Sequence, residues 1–179
     1  MKYSIESLKS LTFQKEDFIF FWGHHKKNEE ITKSCLSQWY DSTFIHENIK
    51  YLTAEHWMMA EKARLFNDKE NFELIIKSNH PSEVKKLGRQ IKNFNPELWN
   101  ENKYKIVIEG NFLKFNQNKD LKNFLLQTGN KVLVEASPED KIWGIGLSEN
   151  DPDIYNIKNW KGENLLGFSL MEVRDRLKD

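Results

Sequence analysis

The stretch from Thr53 to Phe66 constrains this chain most, because it reads as a buried helix with two charges on its apolar face. Thr53 is a side-chain N-cap for that helix. At about 100° per residue, Leu65, Met58, Phe66, Met59 and Ala63 make one apolar arc. Glu55 and Lys62 project near its centre, about 20° apart, with Trp57, Ala60, Glu61 and Arg64 on the other side. A charge inside an apolar stripe is costly unless it is paired or bound. The helix separates the two by roughly 10 Å along its axis, too far for a direct ion pair. Each therefore needs a partner elsewhere in the fold or in a ligand, and the face becomes a candidate site.

The rest of the composition fits a folded domain around that helix. A chain of 179 residues with 39% hydrophobic and 30% charged residues is large enough for one real core and too apolar for disorder. Lys+Arg and Asp+Glu both number 27, so no global field draws the chain to nucleic acid or an anionic membrane. A local basic groove from Lys26, Lys27 and Lys33 stays open. Cys35 is the only cysteine, which excludes an internal disulfide and a Cys-rich zinc site and suits a reducing cytoplasm, the expected location. There is no signal-peptide apolar core and no run of membrane-spanning length, so no membrane contact is expected. Six Trp allow both core packing and a pocket that stacks planar rings.

Residues 1–16 are polar and read as a peripheral segment, with the domain over 17–179. Asp17–Trp22 reads as a strand ending at Gly23, and His24 to Lys33 as a charged loop. Phe44–Tyr51 predicts a hairpin turning at Glu47-Asn48. Short helices follow near Lys69–Lys77 and from Pro81 past Leu87, then a longer one opened by Pro96. Lys119–Gln127 is helical and closed by Gly129-Asn130. Lys131–Glu135 reads as a buried strand, 143–160 as a long polar loop punctuated by Gly and Pro, and Leu166, Leu170, Val173 and Leu177 as the stripe of a last helix. The expected class is α+β, one helix-rich domain with a small β-sheet.

Several residues carry chemical potential. Glu55 suits a general base or an electrostatic stabiliser, and equally a carboxylate satisfied by backbone N–H groups at a helix start. Lys62 and Arg89 are candidate anion anchors, Arg89 because it follows Leu87-Gly88 and offers a bidentate fork. Trp143-Gly144-Ile145-Gly146 combines a stacking ring with close backbone approach, but lacks the spacing of a phosphate loop. Trp99 is a pocket wall or core. Asp151 and Asp153 are loop carboxylates. His24, His25, His46, His56 and His80 show no metal-ligand spacing with Cys35, so no metal or other cofactor is expected. Neither a Gly-x-Ser-x-Gly elbow nor a His-Glu-x-x-His motif is present.

Read in order, these segments resemble the NADAR (YbiA-like) family. The resemblance rests on Phe21-Trp22-Gly23, Ser37-Gln38-Trp39-Tyr40, the Glu55-His56 helix through Lys62, and Leu87-Gly88-Arg89. Trp99, Thr128-Gly129, Ile142-Trp143-Gly144-Ile145-Gly146 and Trp160-Lys-Gly-Glu-Asn164 through Arg174 continue it. It runs from about Phe18 to Leu177. The resemblance implies an N-glycosidase acting on phosphoribosylated or ADP-ribosylated nitrogen. The bacterial type cleaves early riboflavin-biosynthesis intermediates, and other members remove ADP-ribose from modified guanine.

The family's functional Glu falls on Glu55 and its two important Trp positions on Trp99 and Trp143. The family also uses an Asp in the loop after the Trp-Gly pair. That loop is longer here, Ile145 stands where compact bacterial members carry an acidic residue, and Asp151 is the position that takes the role. The expected mechanism passes through an oxocarbenium-like state, with Glu55 stabilising the cation or activating water and Asp151 assisting. Trp22, Gly23, Trp99, Trp143, Gly144 and Asn164 would line the substrate, with Lys62 and Arg89 on phosphate. The expected partner is a small phosphoribosyl or ADP-ribosyl substrate. The alternatives are an ADP-ribosyl-guanine hydrolase acting on nucleic acid, a non-catalytic nucleotide-binding module, and a purely structural or interaction protein.

Overall fold

Phe18–Phe21 (β1) and Val132–Glu135 (β4) are short runs of aromatic and aliphatic residues far apart in the chain, and they pair with each other. The pairing is parallel, with Phe18 opposite Val132 and Phe21 opposite Glu135. These coordinates come from a computed structural model that describes residues 1–25 and 30–178. Lys26 and Lys27, two of the three groove lysines, lie outside the described residues. By internal contacts the chain divides into one unit built from Met1–Ser37 and Asp120–Asp179, and a second, continuous unit over Gln38–Lys119.

In the first unit, α7 (Leu165–Arg176) packs on β4. The packing is close because Gly167 has no side chain: a Cβ there would lie 2.1 Å from the Leu133 carbonyl oxygen and 2.6 Å from the Asn164 amide. α6 (Lys119–Gln127) contributes Leu121 and Leu125 to the interior. Residues expected to be peripheral are partly built in. Ser4 caps α1 (Ile5–Lys9) through a capping box, Leu8 is buried, and α1 packs on the 3₁₀ turn Ile157–Asn159. Tyr3 Oη donates to Asp175 at 2.7 Å, tying this segment to α7.

In the second unit, β2 (Phe44–His46) and β3 (Ile49–Tyr51) form the expected hairpin. Its two turn residues, Glu47 (φ 48°) and Asn48 (φ 65°), both take the left-handed conformation that matches strand twist. Thr53 caps α2 (Ala54–Leu65), and α3 (Lys69–Lys77), α4 (Pro81–Gly88) and α5 (Pro96–Gln117) follow.

α2 departs from the one-faced amphipathic helix that its phase suggests. Trp57 and Ala60, read as its outer side, are 4% and 0% exposed. The reason is that α3, α4, α5 and the hairpin all pack against α2, so no side is left for solvent over its first two turns. Trp57 is accommodated by Gly110 of α5, where a Cβ would fall 2.2 Å from its Cδ1, and the indole Nε1 donates to Ile106 O at 2.9 Å. The architecture is α+β, helix-rich, with one parallel pair and one hairpin among the described residues. Among the same residues no helix is long and apolar enough to cross a membrane.

Gly167→Ala forces a methyl group against the Leu133 carbonyl, a rigid partner, so the variant loses about 1–3 kcal/mol of stability. Urea unfolding followed by far-UV circular dichroism checks this, and an unchanged midpoint would show that α7 can shift on β4.

Candidate functional site

In the second unit the candidate residues gather around α2. Glu55 is 6% exposed in the first turn, and its backbone N–H donates to Gln38 O at 3.0 Å. The helix N-terminus stabilises negative charge at that position. The adjacent His56 is 1% exposed and bridges two segments: Nε2 lies 3.0 Å from Ser78 O and Nδ1 2.8 Å from Thr53 Oγ1. A carbonyl only accepts, so Nε2 carries the proton and Nδ1 accepts from the Thr53 hydroxyl, which fixes the neutral tautomer. Burial pushes the His56 pKa below 6.5, against smaller opposing effects of the Ser78 carbonyl and Asp41. His56 therefore anchors the start of α2.

Lys62 lies two turns on and is half-buried. Its Nζ donates to Gly88 O at 2.7 Å and lies 4.3 Å from the Phe94 ring centroid and 5.4 Å from that of Trp99. Cation–π attraction stabilises an ammonium in such an aromatic corner. Desolvation lowers the Lys62 pKa, and the charge of Glu55 acts in the opposite direction. The two charges thus feel each other, as their shared helical phase requires. Lys62 and Trp99 thus meet beside the Gly88 carbonyl, and Arg89 follows Gly88 as the exposed C-cap of α4. Phe94, 43% exposed, belongs to this corner and was not singled out from sequence.

Sequence reasoning also missed a buried polar group beside Glu55. Gln38 Nε2 donates to Asn111 Oδ1 at 3.1 Å, Asn111 Nδ2 to Val107 O at 2.9 Å, and Lys114 is fully buried near the Tyr40 and Phe115 rings. The available signal was phase: Asn111 and Lys114 stand four and seven residues after buried Val107, on one face of α5.

The first unit carries the remaining candidates. Trp22 and Gly23 follow β1, and the 136–147 loop follows β4, so both leave the carboxyl edge of the parallel pair. Such edges are recurrent ligand positions. Trp22 is 62% exposed and Gly23 takes φ +81°, whereas Trp143 is half-buried. Gly144 is required by space, since a Cβ there would approach Glu135 O to 2.9 Å.

Asn164 is fully buried and its amide is engaged twice, accepting from Glu135 N at 3.0 Å and donating to Leu133 O at 3.0 Å. It therefore completes the edge of β4 where α7 begins. Asp151 Oδ1 accepts from Asp153 N at 3.0 Å within its own turn. Lys33, the described groove lysine, is ion-paired with Glu149. Among the described residues no three His, Cys, Asp or Glu side chains converge as metal ligands.

A family model for the NADAR domain matches residues 20–178. The chain belongs to the NADAR domain family. The N-terminal segment containing α1 precedes the NADAR match. Among similar NADAR-like sequences, N-glycosidase R617 of Acanthamoeba polyphaga mimivirus is 43% identical over 90% of this chain and 97% of that protein. N-glycosidase YbiA of Escherichia coli strain K12 is 30% identical over 70% of this chain and 69% of that protein. The NMR structure of E. coli YbiA superposes with a TM-score of 0.73 at 25% identity, covering 93% of this chain and 88% of that one. The α+β NADAR fold is thus shared with a solved relative.

The His56 tautomer has a consequence for acid stability. With its folded pKa below 6.5, the native protein binds fewer protons than the unfolded chain in the window beneath 6.5. Stability therefore falls as pH drops through that window, until the folded pKa is reached. Urea midpoints measured from pH 7 down to pH 5, on the order of the ordinary His range, should decline in the native protein. The decline should be shallower in His56→Gln, and identical slopes would remove His56 from the account.

Proposed function

We propose that this NADAR protein, an N-glycosyl hydrolase, cleaves the N-glycosidic bond of phosphoribosylated riboflavin-biosynthesis intermediates, releasing the base and ribose 5-phosphate. Relatives named N-glycosidase support the reaction class. The observation that carries the mechanism is Glu55, a carboxylate buried in the first turn of α2 with Lys62 two turns away on the same face.

The bond between the anomeric carbon and the base nitrogen breaks with its electron pair leaving on nitrogen, so positive charge develops on the sugar. Glu55 stabilises that charge and takes a proton from the water whose oxygen adds to the anomeric carbon; that proton then passes to the nitrogen of the departing base, so one water is consumed and Glu55 returns to its carboxylate form. Asp151 is the proposed assisting carboxylate. Trp143, Trp99 and Trp22 are assigned to stacking on base and sugar, with Gly23 and Gly144 allowing close backbone approach. Lys62 and Arg89 are assigned to the phosphate. Lys62 would keep its Gly88 contact and add the anion as a charge-assisted partner, since an ammonium carries three donors. Asn164 supports the strand edge from behind the loop. The proposed location is the cytoplasm, which the single cysteine suits.

Glu55→Gln keeps shape and removes charge. The variant should lose hydrolysis by at least roughly a hundredfold, the usual size of a general-base contribution, while substrate binding stays near that of the parent. Mass detection of released base checks turnover and calorimetry checks binding; normal turnover by the variant would sink the assignment. The substrate panel is riboflavin intermediates, NAD and ADP-ribosylated DNA. Base release only from the last, with salt-sensitive binding of single-stranded DNA, would replace the substrate assignment with ADP-ribosyl-guanine hydrolysis.

A further inference from the structure

We propose that Asp140 is the positioning residue that presents the Trp143 indole to substrate, an inference that rests on the stacking role assigned to Trp143. Asp140 Oδ1 accepts two consecutive backbone N–H groups, from Ile142 at 2.9 Å and from Trp143 at 2.8 Å. The Asp140 carbonyl accepts from Gly146 N at 3.2 Å, and its own N–H donates to Ser137 Oγ at 3.3 Å. One residue thus closes both ends of the loop that carries Trp143 and Gly144.

The other side of the loop is fixed by α7. Trp143 O accepts from Leu166 N at 3.1 Å, Ile142 O from Leu165 N at 3.2 Å, and Gly144 O from Asn164 N at 3.1 Å. The first N–H groups of α7 therefore orient the carbonyls of the loop, and the Asp140 carboxylate orients its amides. With both faces of its peptide units held, the only freedom left to Trp143 is in its side chain. Gly146, at φ +67°, makes the return turn possible, since Lys161 Cβ and Lys141 Cγ leave only 3.1 and 3.2 Å for a Cβ. Hydrogen bonds to a carboxylate are stronger than those to a neutral acceptor, which suits a clamp on the backbone from which a partly buried ring projects.

Asparagine in place of Asp140 keeps an Oδ1 that accepts both N–H groups, whereas alanine keeps none. Asp140→Asn should retain kcat/KM within about threefold, and Asp140→Ala should lose roughly tenfold or more, chiefly through KM. Because Asp140 acts through Trp143, Asp140→Ala should add little when Trp143 is already alanine, which a double-mutant cycle reads directly. Independent multiplication of the two losses would overturn the proposal. So would a fall in kcat alone in Asp140→Asn, which would make the carboxylate a reacting group.

Fluorine NMR of fluorotryptophan-labelled protein gives a readout that needs no turnover. The Trp143 resonance, assigned with Trp143→Phe, should broaden or shift in Asp140→Ala and recover in Asp140→Asn, while the other tryptophans stay in place. An unmoved Trp143 signal would overturn positioning even if hydrolysis is found on no substrate, an outcome that counts against the substrate reading instead. If Asp140→Ala does not fold, Asp140→Asn still decides, since a tenfold loss in that variant contradicts the clamp.

Discussion

Helix α2 is held by hydrogen bonds that run from its own side chains to backbone carbonyls of the segments around it. His56 reaches Ser78 O after α3, Lys62 reaches Gly88 O at the end of α4, and Trp57 reaches Ile106 O in α5. A carbonyl removed from water without a donor is expensive, and so is a polar side chain without an acceptor. Each bond removes both costs at once and fixes one neighbouring helix relative to α2. The apolar side chains between them then close-pack, with Ala60, Ala63 and Ile75 fully buried. Glu55 inherits its position from this frame, because its helix cannot rotate without breaking these bonds.

The same device recurs in the first unit. Asn164 stitches the start of α7 to both polar groups of the β4 edge, and Arg174 near its other end donates to Thr128 Oγ1 and Lys131 O at 2.8 Å. α7 is thus attached to β4 itself and to the turn that precedes it by side chains at its two ends. The sequence-level reading saw Asn164 as a ligand contact. Its double engagement with the backbone gives it a structural role that phase and spacing do not reveal.

Helix existence was legible where caps and breakers stood in the right order. Thr53, Pro81 and Pro96 begin α2, α4 and α5, and the left-handed pair Glu47-Asn48 turns the hairpin. The burial of α2 was legible only in part. Phase put Glu55 and Lys62 on a packed face, yet it could not foresee that Trp57 and Ala60 would also be covered, because that depends on how many partners surround a helix. The parallel pairing of β1 with β4 was likewise out of reach, since neither strand carries a local sign of its partner. Asp140 escaped for a related reason. Before the loop closes, an Asp three residues ahead of a Trp is an ordinary polar residue.

One consequence of the pairing concerns how the protein is made. The second unit is continuous and its partners are near in sequence, so it can fold as soon as Gln38–Lys119 has left the ribosome. The first unit cannot. β1 emerges early, whereas its strand partner among the described residues ends at Glu135. At ordinary translation speeds the delay is on the order of ten seconds. During that interval Phe18-Ile-Phe-Phe-Trp22 is an uncovered apolar segment with free strand edges. The pairing of strands so far apart in the chain thus leaves the most apolar part of the first unit uncovered while the chain is still being synthesised.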